Sequence, residues 1–188
     1  MSDGGDSNPS LAVDEARYLM HTFKRQPIEL VRGAGARAWD AEGNQYLDFV
    51  GGIAVNVLGH SHPAVAEAVS RQARTLVHTS NLYYTRPQVD LAERLNTLGF
   101  TGRCFFANSG AEANEAAIKL ARKWGRVHRG GAFEVISALG SFHGRTLATV
   151  AATGQPRYQE PFAPMPDCTS SKINNRSSRS QRSRTAPR

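Results

Sequence analysis

The strongest pattern of apolar and polar positions lies in AEANEAAIKLARKW (111–124), where Ala113, Ala117, Leu120 and Trp124 share one face of a helix. A short apolar run stands on each side of it, GRCFFA (102–107) before and AFEVISA (132–138) after. Strand, helix and strand in that order predict a parallel sheet covered by helices. Three further helices are expected upstream. LAVDEARYLMHTF (11–23) follows Ser10 as a cap, has Asp14 and Glu15 near its positive end, and is stopped by Pro27. Pro63 opens PAVAEAVSRQARTLV, and Pro87 suits the first turn of RPQVDLAERLNTL. In the latter Leu91, Leu95 and Leu98 share a face, and Gly99 ends the helix. IELVRG (28–33) reads as a strand, and ARAWDAEGNQYLDFV (36–50) as a hairpin. There Ala36, Ala38 and Asp40 alternate with Arg37 and Trp39, and Glu42-Gly43-Asn44 turns the chain. GGIAVNVLGH (51–60) reads as a glycine-bounded loop, and residues 154–167 as an irregular proline-rich one.

Composition changes this picture at the two ends. The chain has 188 residues and a formal net charge of +7, which points first to nucleic acid or an anionic membrane surface. The charge is not spread evenly. Residues 168–188 hold Lys172, Arg176, Arg179, Arg182, Arg184 and Arg188 and no acid. Removing these six leaves 17 basic residues against 16 acidic ones, so residues 1–167 carry +1. A nearly neutral body argues against a nucleic-acid surface, and the Ser/Arg stretch 168–188 has nothing with which to build a core. Residues 1–9 are polar and expected to be disordered; they lack the basic and apolar regions of a secretory signal. The longest uncharged stretch, Phe49 to Ala66, holds Gly51, Gly52, Gly59, Pro63 and two histidines, a poor membrane span. Two cysteines, Cys104 and Cys168, make no disulfide framework, and Cys104 in RCFFA reads as a small buried hydrophobe. A soluble cytoplasmic protein is expected.

Two segments carry candidate chemistry. Asn108-Ser109-Gly110-Ala111 lies between the first apolar run and the long helix. Free N–H groups at a helix start, a glycine that lets a ligand approach and a serine hydroxyl together make a phosphate cradle. The same residues also make an ordinary serine cap. Ser141-Phe142-His143-Gly144-Arg145-Thr146 follows the second run. An aromatic ring and an arginine at the carboxyl edge of a sheet can stack on a planar ligand and hold a carboxylate. A buried phenylalanine beside a surface arginine is the plainer reading. Gly33-Ala34-Gly35-Ala36-Arg37-Ala38 fits a loose dinucleotide pattern but precedes a hairpin, not a helix. His60 and His62 have no partners at zinc spacing and read as turn and cap residues, so no metal site is expected.

The order of the motifs adds what the single motifs lack. WDAEGNQYLDFVGGIAVNVLGHSHPAV, SNLYYTRPQVDLAERL, FFANSGAEANEAAIKLAR and GSFHGRT…ATGQPRYQEPFAPMP follow one another as in a class III aminotransferase, and the chain resembles that family over about residues 20–167. Within it the chain is most similar to the acetylornithine aminotransferase branch. The resemblance implies an α/β fold: the N-terminal part of the pyridoxal-phosphate-dependent transferase fold (aspartate-aminotransferase-like, fold type I), incomplete. It divides the chain into residues 1–9, a segment 10–60 of the small domain, a first part 61–167 of the large cofactor domain, and the tail 168–188. It implies pyridoxal 5'-phosphate as cofactor, with Ser109, Gly110 and Ala111 on the phosphate, Phe142 stacked on the ring and His143 adjacent. It implies that Arg145 grips a substrate carboxylate, that Ile53, Ala54 and Val55 line the entrance, and that Tyr83 and Tyr84 help build a homodimer.

The implied reaction moves an amino group between N-acetylornithine and 2-oxoglutarate, in arginine biosynthesis. Succinylornithine, ornithine and 4-aminobutyrate are the alternative donors. The family works through a Schiff-base lysine. The four lysines here, Lys24, Lys119, Lys123 and Lys172, stand in no family-like context. A truncated, inactive form is therefore expected, with residues 168–188 out of frame or following a lesion. A reading of another class is a non-catalytic module binding an anion or RNA through the basic tail. The tail lacks interleaved aromatics, which counts against base recognition. Partners are expected to be small-molecule substrates, with no nucleic acid and no membrane.

Overall fold

The computed structural model describes residues 9–99 and 101–166. Expectations for residues 1–8, for Cys168 and Lys172, and for the Ser/Arg tail lie outside the described residues. The chain divides into two compact units, Met1–Tyr84 and Thr85–Arg188.

In the first unit, α1 runs Pro9–Tyr18. It takes in Ser10 rather than starting after it, and it ends well before Pro27. A three-stranded antiparallel sheet follows in sequence order: β1 (Leu30–Ala34), β2 (Arg37–Asp40) and β3 (Gln45–Leu47). Ala38 pairs with Tyr46 and Trp39 with Gln45, the register the alternation predicts. Ala38 and Asp40 are buried while Arg37 is exposed. Asp40 ties the hairpin from inside: it accepts from the Asn44 backbone N–H at 2.7 Å, the Asn44 amide at 3.0 Å and the Tyr46 hydroxyl at 2.7 Å. Burial alone raises a carboxyl's pKa, but these donors outweigh it and hold Asp40 below its ordinary value. α3 (Pro63–Thr75) starts from His62 at the cap position, with Pro63 in the first turn.

The glycine-bounded segment is more specific than a loop. α2 (Gly51–Ala54) is a single turn of the wrong hand: φ is 53° at Gly51, 61° at Gly52, 60° at Ile53 and 62° at Ala54. Its backbone still closes, Ala54 N–H on Val50 C=O at 3.1 Å and Val55 N–H on Gly51 C=O at 3.0 Å. Two glycines adopt this hand freely, but a β-branched residue there is strained by about 1–2 kcal/mol.

In the second unit, α4 (Arg86–Leu98) ends at Gly99 as expected. α5 (Gly110–His128) is the long helix. Its buried positions are Ile118 and Gly125, whereas Leu120 and Trp124 are exposed. The expected stripe is therefore not the buried face. Gly125 is the contact point because a Cβ there would lie 2.2 Å from the Ala132 carbonyl oxygen. The expected strands at 102–107 and 132–138 form no ladder. A strand exists only beside a neighbour that takes its N–H and C=O groups, and neither segment has one among the described residues. One parallel bridge, Leu139 with Gly154, follows the second segment. Cys104 is exposed for the same reason: with no sheet on either side, the RCFFA run has nothing to bury it. The core of this unit is instead α6 (Leu147–Ala152), with Val150, Ala151 and Ala152 buried and Thr149 and Thr153 fully enclosed.

Candidate functional site

α5 begins where Ser109 turns from extended backbone (φ −153°, ψ 161°) into helix. The Ser109 hydroxyl accepts the Glu112 N–H at 3.2 Å, and the Ser109 carbonyl accepts the Ala113 N–H at 3.1 Å. The Gly110 and Ala111 N–H groups have no acceptor among the described residues. A Cβ at Gly110 would meet nothing within 4 Å. Two N–H donors without an acceptor among the described residues, the positive end of a five-turn helix and open space at Gly110 are an arrangement that can hold an anion. Glu112 is a competing element: its carboxylate accepts from the Ser109 hydroxyl at 3.3 Å and from the Asn108 amide at 3.4 Å.

The segment Ser141–Thr146 is folded against this helix start. Gly144 has φ 131°, and a Cβ there would lie 2.7 Å from Ala111 Cβ and 2.7 Å from Thr149 Oγ1. Only glycine gives both the angle and the approach. The Asn114 amide donates to the His143 carbonyl at 2.7 Å, and the Thr146 hydroxyl donates to Glu115. Thr146 caps α6 in a reciprocal box with Thr149. Thr153 accepts the His143 N–H at 3.0 Å and donates to the Thr149 carbonyl at 2.9 Å. The His143 ring lies 3.3 Å from the Ser141 hydroxyl.

Ser109, Gly110, Ala111, His143 and Arg145 thus come together at one helix start, with Phe142 beside them. Phe142 is 58% exposed and meets Tyr158 edge-on, with centroids 6.3 Å apart at 82°. Arg145 lies over both rings, 5.3 Å from Phe142 and 3.9 Å from Tyr158. Sequence reasoning missed Asn114, Glu115, Thr149, Thr153 and Tyr158. The threonines at 146, 149 and 153 follow helical spacing, which was the available signal.

Ile53, Ala54 and Val55 belong to the first unit. Asp48 holds their turn, accepting from the Val50 N–H at 2.9 Å, the Gly51 N–H at 2.8 Å and His60 Nε2 at 2.8 Å. The Gly51 N–H, followed by His60, is the main cause that keeps the Asp48 carboxyl below its ordinary range. Asn56 completes the set, 3.2 Å from His60 Nδ1. The turn leaves Ile53 86% and Val55 80% exposed. No helix among the described residues is long and apolar enough to cross a membrane.

A family model for class-III aminotransferases matches residues 19–185, and so runs past Asp167 into the Ser/Arg stretch. The chain is 56% identical over 152 residues to an acetylornithine aminotransferase of Caldanaerobacter subterraneus, covering 80% of this chain and 39% of the relative. It is 57% identical over 153 residues to one of Methanothermobacter thermautotrophicus, covering 81% and 38%. The chain therefore spans well under half the length of these curated relatives. Among solved structures it superposes on an ornithine aminotransferase of Toxoplasma gondii with TM-score 0.81 at 27% identity, covering 88% of this chain and 39% of that one. A second structure of that protein, with pyridoxal phosphate at partial occupancy in its active site, gives 0.82 at 26% identity and covers 90% and 40%. An omega-transaminase of Thermomicrobium roseum gives 0.78 at 31%, covering 91% and 41%.

Proposed function

The chain belongs to the class III aminotransferases, and from that premise we propose that it is the cofactor-cradling part of an acetylornithine aminotransferase. The observation that carries this is the convergence at the start of α5: two open N–H groups, the Ser109 hydroxyl, and a loop that glycine packing brings against them. Pyridoxal phosphate, when bound, supplies an electron sink for moving an amino group between an amino acid and an oxo acid. The chain's own residues prepare for it. Gly110 and Ala111 donate to the phosphate, and Ser109 adds its hydroxyl after releasing Glu112. Phe142 offers a ring face to the pyridine, and His143 stands adjacent. Arg145 takes a substrate carboxylate in a two-point grip.

N-acetylornithine and 2-oxoglutarate are the proposed substrates. The support is identity of 51–57% to relatives bearing that name. Dimerisation through the Tyr83–Tyr84 segment and a cytoplasmic location belong to the same proposal. The 188 residues by themselves are proposed not to turn over: of the three lysines among the described residues, Lys24 belongs to the first unit and Lys119 and Lys123 stand on later turns of α5, not beside its open start. Phosphorus NMR of pyridoxal phosphate titrated with the chain tests the cradle. Ser109→Ala is expected to weaken binding by about fivefold, the loss of one hydrogen bond. Equal binding by Ser109→Ala and Gly110→Asp overturns the reading. A panel of N-acetylornithine, succinylornithine, ornithine and 4-aminobutyrate separates the donors.

A further inference from the structure

Tyr158 stands in the proline-rich stretch that ends the last motif, where no site role is expected, yet it meets both Phe142 and Arg145. Its ring is met edge-on by Phe142 at 6.3 Å and covered by the Arg145 guanidinium at 3.9 Å. We infer that Tyr158 is a positioning residue: its ring holds Arg145 in place beside Phe142, and the grip of Arg145 on a substrate carboxylate depends on that ring. The inference rests on the reading of Arg145 given above and adds what fixes it.

Arg145 is exposed and makes no ion pair among the described residues. An arginine so placed is spread over many rotamers, and a carboxylate that binds it must first collect them. A guanidinium held over a ring face has part of that ordering done in advance and still has N–H groups with which to donate. The stack needs a ring that does not itself move. α7 (Pro156–Gln159) carries Tyr158 and is pinned at both ends. Before it, the Gln155 amide donates to the Ser141 carbonyl at 3.1 Å. At its end, the Gln159 amide donates to the Ala151 carbonyl at 3.0 Å and the Thr153 carbonyl at 2.7 Å. The hydroxyl end is held as well: Arg157 Nη2 donates to the Tyr158 oxygen at 2.8 Å, and its guanidinium lies over the same ring at 4.6 Å. Arg157 also donates to the Gln155 side-chain oxygen at 3.1 Å, so it braces the ring and Arg145 is left to meet a ligand.

The test uses the full chain, with succinate as the dicarboxylate probe and NMR of the Arg145 Nε–H group as the readout. Tyr158→Phe keeps the ring, and Tyr158→Leu keeps much of the bulk without the π face. Tyr158→Leu is expected to move the Arg145 resonance out of the ring-current field and weaken succinate by about fivefold, the scale of a partly desolvated cation–π contact. Tyr158→Phe keeps the ring but loses the Arg157 bond to its oxygen, so it is expected to leave the Arg145 resonance in the ring-current field and to weaken succinate less than Tyr158→Leu does. Unaltered amide protection of Thr153 shows that Tyr158→Leu is folded. Arg145→Gln supplies the reference. If it weakens succinate and Tyr158→Leu does not, positioning by Tyr158 is overturned while the carboxylate reading stands. If Arg145→Gln itself leaves succinate binding unchanged, or the unsubstituted chain binds none, the carboxylate reading falls and the inference with it.

Discussion

The turn Gly51–Ala54 and the junction Phe142–Thr153 are both held by side-chain hydrogen bonds to backbone, but the first ends in solvent and the second inside a core. Asp48 ties the turn through two N–H groups and His60, and above that frame Ile53 and Val55 stand exposed. Thr149 and Thr153 tie the junction and are fully enclosed, and Val150, Ala151 and Ala152 between them are buried as well. Polar anchors can set a backbone in either setting. Apolar cover decides how much each anchor is worth, because a hydrogen bond shielded from water has no substitute when it is removed.

The largest expected effect attacks the buried side of this contrast. Gly144→Ala places a Cβ against Ala111 and Thr149 at φ 131° and is expected to destabilise the second unit by about 3 kcal/mol. Gly35→Ala, at φ 56° with open space around it, is the control at about 1 kcal/mol. Denaturant unfolding compares the two, and equal losses would erase the contrast. Thr153→Val keeps the shape and removes the acceptor of the His143 N–H. A loss of about 1–3 kcal/mol is expected, read as faster exchange of that amide. In the exposed turn the sign reverses. Ile53→Gly relieves a left-handed β-branched residue but frees the unfolded chain, so a gain of about 0–1 kcal/mol is expected. A clear loss there would mean that Ile53 is packed rather than strained.

The smallest effect is in pH. Asp48 has its carboxyl lowered in the folded chain. The stability it adds is present above the unfolded carboxylate value of about 4 and disappears as pH falls through the folded value. Asp40 has the same sign. The Gly51 amide should therefore lose protection as pH falls below about 4, and Asp48→Asn should flatten that slope.

Much of the local structure was legible in order. Pro63, Pro87 and Gly99 set helix ends because each removes or permits a definite backbone state. The 36–50 hairpin followed from alternation, and Ser109 from its chemistry as a cap. What could not be read depended on partners distant in sequence. The apolar runs at 102–107 and 132–138 look like strands, but pairing is not a property of one segment. The stripe on α5 was misplaced because Ala132 and α6 choose which face is covered, and Gly125 in that face carries no apolar signal.

The sequence by itself determined the family, through long motifs in a fixed order, and marked the positions of the serine-capped helix start and of a neighbouring aromatic–arginine segment. Those are short-range facts: a cap, a glycine and a helix start lie within a few residues of one another. Only the tertiary structure decided that Gly144 seats the second segment on the first, that three threonines hold it there, and that Tyr158 lies under Arg145. The first joins residues 33 apart and the last residues 13 apart, where distance along the chain carries no information about distance in space.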